Sequence, residues 1–140
     1  MDDPHHLARF VAAQADVWPA PLDELRRGRK QSHWMWFVFP QLAGLGMSAM
    51  SQHYAIRSRE EAEAYLGHEL LGSRLGETTD AVIEHAGRLT AEAIFGGIDA
   101  IKFRSSMTLF DAVAPDDRYR RALDAFYSGA PDPATLRLLA

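Results

Sequence analysis

The apolar side chains of this chain recur mostly every three or four positions, which is the spacing of one face of an α-helix. The clearest pattern begins at Ser58, because a serine followed three residues later by Glu61 forms a capping box that opens a helix running through Leu66. A second apolar stripe follows from Leu71 to Ile83. These patterns predict two consecutive helices in the middle of the chain.

Other helices are predicted where a capping residue or a proline precedes an apolar stripe. Aspartate and threonine side chains accept hydrogen bonds from the first amides of a helix, and proline is tolerated at its first position. The helix after the two prolines at 19 and 21 is expected to end near Gly28, and the helix that Asp99 caps is expected to end at Pro115. The remaining predicted starts are Asp3-Pro4, Thr90, Asp117 and Asp132-Pro133.

One apolar run fits either a strand or a helix. Residues 33–39 read HWMWFVF, whose aromatic and branched side chains favour a strand, although their periodicity does not exclude a buried helix. A lone buried strand would leave its amides and carbonyls without partners, so we predict a helix that Pro40 ends. Residues 42–50, with two glycines and no amphipathic period, predict a surface loop leading into a turn at 51–54.

These elements together predict an all-α fold. The chain has 140 residues and contains no internal repeat or linker, so we expect one compact domain over residues 1–140. The predicted architecture is a bundle of about six to eight short helices.

Composition and charge limit the cellular compartment and the kinds of partner that we expect. The chain has no cysteine, which excludes disulfides and thiolate metal sites and fits a reducing compartment. No apolar stretch is long enough to cross a membrane, and the acidic start at Asp2-Asp3 is unlike a signal peptide. A net charge of -4 argues against binding nucleic acid as a polymer. We therefore expect a cytoplasmic protein without membrane association, and the oligomeric state stays open.

Motifs of the familiar enzyme classes are absent from the sequence. There is no phosphate-binding loop, no H-E-x-x-H zinc helix and no G-x-S-x-G nucleophile elbow. His5 and His6 are adjacent, and adjacent side chains on a helix point about 100° apart, so we interpret both as surface residues rather than metal ligands. We expect neither a metal nor a cofactor.

A polar and aromatic cluster near residue 30 is the first candidate site. Cationic side chains bind phosphate or carboxylate, aromatic faces stack on planar rings, and histidine titrates near neutral pH. The alternative is that the tryptophans belong to the core, the histidine is a hydrogen-bonded interior residue and the basic run completes a helix end. The cluster consists of Arg29, Lys30, Ser32, His33, Trp34 and Trp36.

A second candidate lies on the helix predicted from Asp99. Lys102, Ser105 and Ser106 are neighbours on its surface and can donate to an anion, with Arg104 beside them. The alternative is a solvated face on which the serines donate to carbonyls one turn earlier. If this helix packs beside the first cluster, the two groups of cations would meet at one pocket.

At these same residues the sequence resembles the bacterial family of proteins of unknown function numbered 1810, sometimes given the unsupported label calpastatin. The resemblance covers essentially the whole chain. It implies an all-helical fold and no established activity. The residues that carry it are Gly28 to Lys30 with Ser32 to Gln41, Tyr54 to Ile56, and Phe95-Gly96 through Lys102 and Arg104 to Phe110.

Two hypotheses of function follow. In the first, the protein binds a phosphate-bearing small molecule, such as a nucleotide or an ADP-ribose-like metabolite, with hydrolase or transferase chemistry as an extension. His33 would be the general acid or base, a tryptophan would stack, and the cations would neutralise the phosphate. The groups expected to orient the ligand are Gln41, Tyr54, Ser105 and Ser106. In the second, a non-catalytic module binds a protein through its aromatic and methionine surface.

Overall fold

The all-α prediction is confirmed. The computed structural model describes residues 2–140, and within them the chain forms ten α-helices and no strand. One isolated parallel bridge joins Leu42 to Ile56. The helices are α1 (Ala8–Ala15), α2 (Ala20–Arg27), α3 (Met35–Val38), α4 (Ala49–His53), α5 (Arg59–Gly67), α6 (Glu69–Ile83), α7 (Ala91–Phe95), α8 (Gly97–Val113), α9 (Arg118–Tyr127) and α10 (Pro133–Leu139).

The number of helices is higher than the expected six to eight because three of them are very short. Helices α3, α4 and α7 have only four or five residues each. The turn predicted at 51–54 is wrong, since α4 occupies 49–53. Its start is stabilised by the Ser48 side chain, which accepts a hydrogen bond from the Ser51 amide. The ambiguous run at 33–39 contains helix α3, as predicted.

Three of the six predicted caps are confirmed. The side chains of Ser58, Thr90 and Asp132 each accept a hydrogen bond from the amide three residues later. The start predicted at Asp3-Pro4 is wrong, since α1 begins at Ala8, and the Asp117 side chain accepts no capping hydrogen bond. The cap predicted at Asp99 is wrong: α8 begins at Gly97, two residues earlier. Asp99 therefore lies in the first helical turn, where its carboxylate is available to basic side chains.

Helix α8 lies at the centre of the molecule and packs against α5, α7, α9 and α10. The aromatic side chains of Phe103 and Phe110, on this helix, are fully buried. The Phe39 ring meets Phe103 edge-on with 5.0 Å between the ring centroids. The apolar run that contains α3 is thus held against α8 by aromatic packing. No helix of residues 2–140 is long and apolar enough to span a membrane.

Candidate functional site

A cavity of about 180 Å³ opens between α3, the loop that follows it, α4 and α8. One wall comes from the aromatic run and another from the chain between α4 and α5. The central helix α8 contributes one side chain, Lys102. The lining residues are Met35, Trp36, Phe39, Gln41, Leu42, Ala43, Gly44, Gly46, Ser51, Gln52, Tyr54, Ala55, Arg57 and Lys102.

Two local features hold the walls of the cavity together. The Ile56 amide donates to the Gln41 carbonyl and the Ala43 amide donates to the Ile56 carbonyl, each over 2.8 Å. The loop then passes so close to α4 that a Cβ atom on Gly46 would collide with the Cβ of Ser51. The cavity is therefore bounded by paired backbone and by a glycine for which no larger residue fits without movement.

The charged groups in the cavity walls are both cations. Lys102 and Arg57 line it, and no carboxylate is among the lining residues. The acid that pairs with Lys102 is Asp99, whose carboxylate lies 2.9 Å from the Lys30 ammonium but 3.7 Å from that of Lys102. Asp99 is thus matched mainly by Lys30, which leaves positive charge at the cavity.

Neutral donors and an aromatic ring lie beside these cations. The Lys102 ammonium is 5.4 Å from the ring centroid of Trp36, which is half-buried. The Gln41 amide and the Tyr54 hydroxyl make no hydrogen bond to another residue within 2–140, while the Gln52 amide donates to the Met47 carbonyl. Two polar groups in the wall can therefore bind a ligand without giving up a protein partner.

The cavity brings together four of the side chains selected from the sequence: Trp36, Gln41, Tyr54 and Lys102. Trp36 and Gln41 belong to the resemblance stretch that ends at Gln41, Tyr54 to the stretch 54–56, and Lys102 to the helix of the second candidate site. The remaining selected residues lie outside its walls, and three local environments account for them.

The turn before α3 is organised by Glu24, which is buried. Its carboxylate accepts hydrogen bonds from the Ser32 hydroxyl at 2.6 Å and from the Trp34 indole at 3.0 Å. Burial pushes the pKa of Glu24 up, but these bonds and one from the Gln31 amide outweigh it and hold the pKa below its ordinary value. Ser32 and Trp34 therefore have structural partners, and the Trp34 ring is fully buried.

The basic residues of this turn are divided between protein and solvent. Lys30 is nearly buried, pairs with Asp99 and lies 5.1 Å from the Trp34 ring centroid. Arg29 and His33 are exposed, and neither side chain makes a hydrogen bond within the described part of the chain. The histidine selected as a proton donor or acceptor is thus away from the cavity walls.

On α8, the other selected residues hold the C-terminal segment. The Arg104 guanidinium donates to the carbonyls of Ala130 and Pro131, each over 2.9 Å. The Ser105 hydroxyl is within 3.0 Å of the Asp132 carboxylate, and Ser106 is fully buried with no hydrogen-bond partner among residues 2–140. The four selected cations therefore do not meet in one cavity.

Sequence reasoning missed Arg57, which the tertiary structure adds to the site. This residue lies between the resemblance stretch ending at Ile56 and the capping box at Ser58, and it belongs to neither pattern. A lone exposed arginine in a connecting segment carries no signal in one sequence. Among residues 2–140, no group of three His, Asp or Glu side chains is placed to hold a metal ion.

Comparison with known proteins identifies relatives without a described activity. The family model described as "Protein of unknown function (DUF1810)" matches residues 4–139. The crystal structure of the conserved hypothetical protein Rv1873 from Mycobacterium tuberculosis is similar to this chain, with 50% sequence identity, a TM-score of 0.95 and coverage of 98% of each chain. No curated protein matches.

Proposed function

Because the chain belongs to the family of proteins of unknown function numbered 1810, whose description carries no activity, we propose a function from its own cavity: binding of a small phosphate-bearing ligand. The observation that carries this proposal is the presence of Lys102 and Arg57 in walls that contain no carboxylate. A guanidinium can bind two phosphate oxygens at once, and an ammonium adds a compact charge beside it.

The size and lining of the cavity limit which ligands can fit. Its volume of about 180 Å³ is below the roughly 300–1,000 Å³ typical of sites for drug-sized molecules. It can enclose a phosphate and one small ring, with Trp36 beside the ring and Gln41 and Tyr54 as hydrogen-bonding groups. A nucleotide or an ADP-ribose-like molecule would place one end in the cavity and extend the rest into solvent.

The proposal is for binding, not for hydrolase or transferase chemistry. A general acid or base must reach the reacting group within hydrogen-bonding distance. The cavity walls contain no histidine or carboxylate, and His33 lies outside them. A reaction would require an additional group delivered by a partner or by movement of the chain.

Composition supports a small ligand in preference to a polymer. With a net charge of -4, the chain lacks the broad positive surface that nucleic acid requires. Its lack of cysteine is compatible with the reducing cytoplasm, which we propose as its location.

The test is a calorimetric titration of the purified protein with inorganic phosphate, AMP and ADP-ribose. We expect measurable binding of AMP or ADP-ribose by the wild type. Lys102→Met and Arg57→Met should each weaken it by about tenfold or more, because each removes a charge that contacts the phosphate. Arg29→Met is the matched control, since it removes the same charge from an exposed residue outside the cavity and should leave affinity unchanged.

Two results would contradict the proposal. One is a wild type that binds none of the three compounds at millimolar concentration. The other is an equal loss of affinity in Arg29→Met and Lys102→Met, which would indicate attraction to net charge and not to the cavity.

Exposed apolar side chains favour a second candidate, a protein-interaction module. Met47 is 82% exposed, and Ile98 and Ile101 are 74% and 68% exposed. Apolar side chains this exposed are typical of contact surfaces when they cluster. Ile98 and Ile101 lie three residues apart on α8 and are therefore neighbours on its surface. Analytical ultracentrifugation over a range of concentrations tests self-association through these two side chains. Association that Ile98→Asp abolishes would support the module, and a monomer at every concentration would count against a self-associating one.

A further inference from the structure

A second cavity, of about 300 Å³, lies where the N-terminal segment meets α4 and α5. Three of its lining residues are histidines, the adjacent pair His5 and His6 and the distant His53, and Arg57 is shared with the first cavity. The lining residues are Pro4, His5, His6, Arg9, His53, Arg57, Ser58 and Glu61.

The buried side chain of Arg9 brings these histidines together. Its Nε donates to the His53 carbonyl at 2.9 Å, and its Nη1 donates to the carbonyls of His5 and His6, both at 2.8 Å. Its Nη2 donates to the Glu61 carboxylate at 2.8 Å. The guanidinium binds the backbone carbonyls of all three histidines, so it holds the N-terminal segment beside the end of α4 and is itself unavailable to a ligand.

The N-terminal segment is further fixed by Asp3 and by its own backbone. The Asp3 carboxylate accepts hydrogen bonds from the amides of Leu7 and Ala8 at 2.7 and 3.0 Å. His6 has a φ of 53°, a left-handed conformation that is uncommon for a residue with a side chain and that persists only where surrounding contacts hold it. The backbone of the segment is therefore held in one defined conformation.

The charges facing the cavity are mostly positive or able to become so. Glu61 is neutralised by Arg9, and its second oxygen accepts from the Arg57 amide. Asp3 is the other acid nearby, and bonds from the Ala8 and Leu7 amides lower its pKa, with a smaller contribution from His6 and His68. No imidazole of His5, His6 or His53 donates to or accepts from a side chain or backbone group within 2–140, which leaves all three rings available.

These observations favour an anion over a metal ion as the ligand. Metal binding needs several ligands converging at about 2 Å, and none of the described His, Asp and Glu side chains form such a group. Arg57 adds a permanent positive charge that would repel a cation. We propose that this second cavity is an anion site, for a small oxyanion such as sulfate or phosphate, whose affinity rises as the histidines become protonated.

The direction of the pH dependence follows from linkage. A bound anion stabilises imidazolium over neutral imidazole, so it raises the pKa of each ring it contacts, and binding takes up protons. Affinity is therefore expected to rise as pH falls, because protonated rings of His5, His6 and His53 would add positive charge to that of Arg57. The carboxylate of Asp3 offsets part of that charge.

The probe for the test is inorganic sulfate, whose charge stays constant across this range, unlike that of phosphate. We titrate sulfate into the protein at constant ionic strength, at about pH 5.5 and about pH 7.5, and follow the ring Cε1 protons of the six histidines by NMR. The expected result is saturable shifts of His5, His6 and His53, with affinity about tenfold higher at the lower pH. His85, whose ring is buried against the Leu25 carbonyl, serves as the internal reference.

Matched variants separate this cavity from a general effect of charge. His6→Asn is chosen because asparagine tolerates a left-handed backbone, and together with His53→Gln it should weaken sulfate binding and flatten its pH dependence. His33→Gln removes an exposed histidine outside both cavities, so it should change neither the affinity for sulfate nor the pH dependence of that affinity. Lys102→Met should leave sulfate binding in the second cavity intact, because Lys102 lines only the first cavity. A failure of the anion site can therefore be distinguished from a failure of the proposed phosphate-ligand site. Equal affinity at both pH values, or shifts spread evenly over all the exposed histidines, would overturn the proposal.

Discussion

At the scale of single residues, Glu24 shows how one buried carboxylate shapes a turn. It accepts from the amides of Gln31 and Ser32, the Ser32 hydroxyl and the Trp34 indole. Four donors thus depend on one side chain, and charged acceptors form stronger hydrogen bonds than neutral ones. Glu24 therefore fixes where the chain leaves α2 and how Trp34 enters the core.

We predict that Glu24→Gln lowers the free energy of unfolding by about 2 kcal/mol at neutral pH, because an amide oxygen replaces an ionised acceptor. Urea denaturation measures the change. Glu63→Gln is the control, since Glu63 is exposed on α5 and should change stability by less than about 0.5 kcal/mol. Equal effects of the two substitutions would contradict the role assigned to Glu24.

The same contacts predict how that difference varies with pH. The pKa of Glu24 is lower in the folded state than its ordinary value of 4.5. The stabilisation is therefore fully present above 4.5 and is lost as pH falls through the folded pKa. The gap in unfolding free energy between wild type and Glu24→Gln should narrow in acid, and a gap that stayed constant down to acid denaturation would exclude this account.

At the scale of elements, the end of α2 depends on a glycine for two reasons. Gly28 has a φ of 82°, which terminates the helix in the left-handed conformation. A Cβ there would also lie 2.7 Å from Leu89 Cδ1 and 3.2 Å from His85 Cε1. Gly87 has nearly the same φ, 83°, but a Cβ there would meet nothing within 4 Å. The two positions therefore separate backbone strain from packing.

Gly87→Ala should reduce stability by about 1 kcal/mol, the strain of a left-handed alanine. Gly28→Ala should lose about 1 to 2 kcal/mol more, because Leu89 and the hydrogen-bonded His85 ring must also move. Thermal and urea unfolding of both variants provide the comparison. If Gly28→Ala is no less stable than Gly87→Ala, the close packing between α2 and the segment after α6 is not rigid.

At the scale of the whole molecule, a buried ion pair joins the N-terminal third to the centre of the chain. Arg9 of α1 and Glu61 of α5 are 2.8 Å apart, with side-chain exposures of 6% and 4%. Arg9 also donates to the carbonyls of His53 and Ala55. One side chain therefore fixes α1, the end of α4 and the start of α5 relative to one another.

We predict that Arg9→Met reduces the free energy of unfolding by about 3–5 kcal/mol, because it leaves a buried carboxylate and several carbonyls without partners. Arg121→Met is the control: its pair with Asp117 is exposed on both sides and should contribute less than about 1 kcal/mol. Denaturant unfolding measures both. A small effect of Arg9→Met would mean that water replaces the lost contacts.

Much of the fold could be predicted because its determinants are local. The caps at Ser58, Thr90 and Asp132 act within one helical turn, so they are visible in a few consecutive residues. The family was also recognisable, because its matching stretches are long. The turn at 51–54 was mistaken because the cap at Ser48, which opens α4, was not recognised. The cap at Asp99 was mistaken because α8 begins after Gly96, which has a φ of 83° and no side chain to reveal the start of the helix.

Part of the candidate site could be predicted from the sequence, and part of it is visible only in the tertiary structure. Sequence alone selected Trp36, Gln41, Tyr54 and Lys102 as groups able to bind a phosphate-bearing ligand, because their chemistry is a property of the side chains. Tertiary structure decided which of the selected residues face one space: it directed Arg104 to the C-terminal segment, buried Trp34 beneath Glu24 and brought Arg57 to the cavity. Position in space depends on packing between distant segments, and one sequence contains no direct record of those contacts.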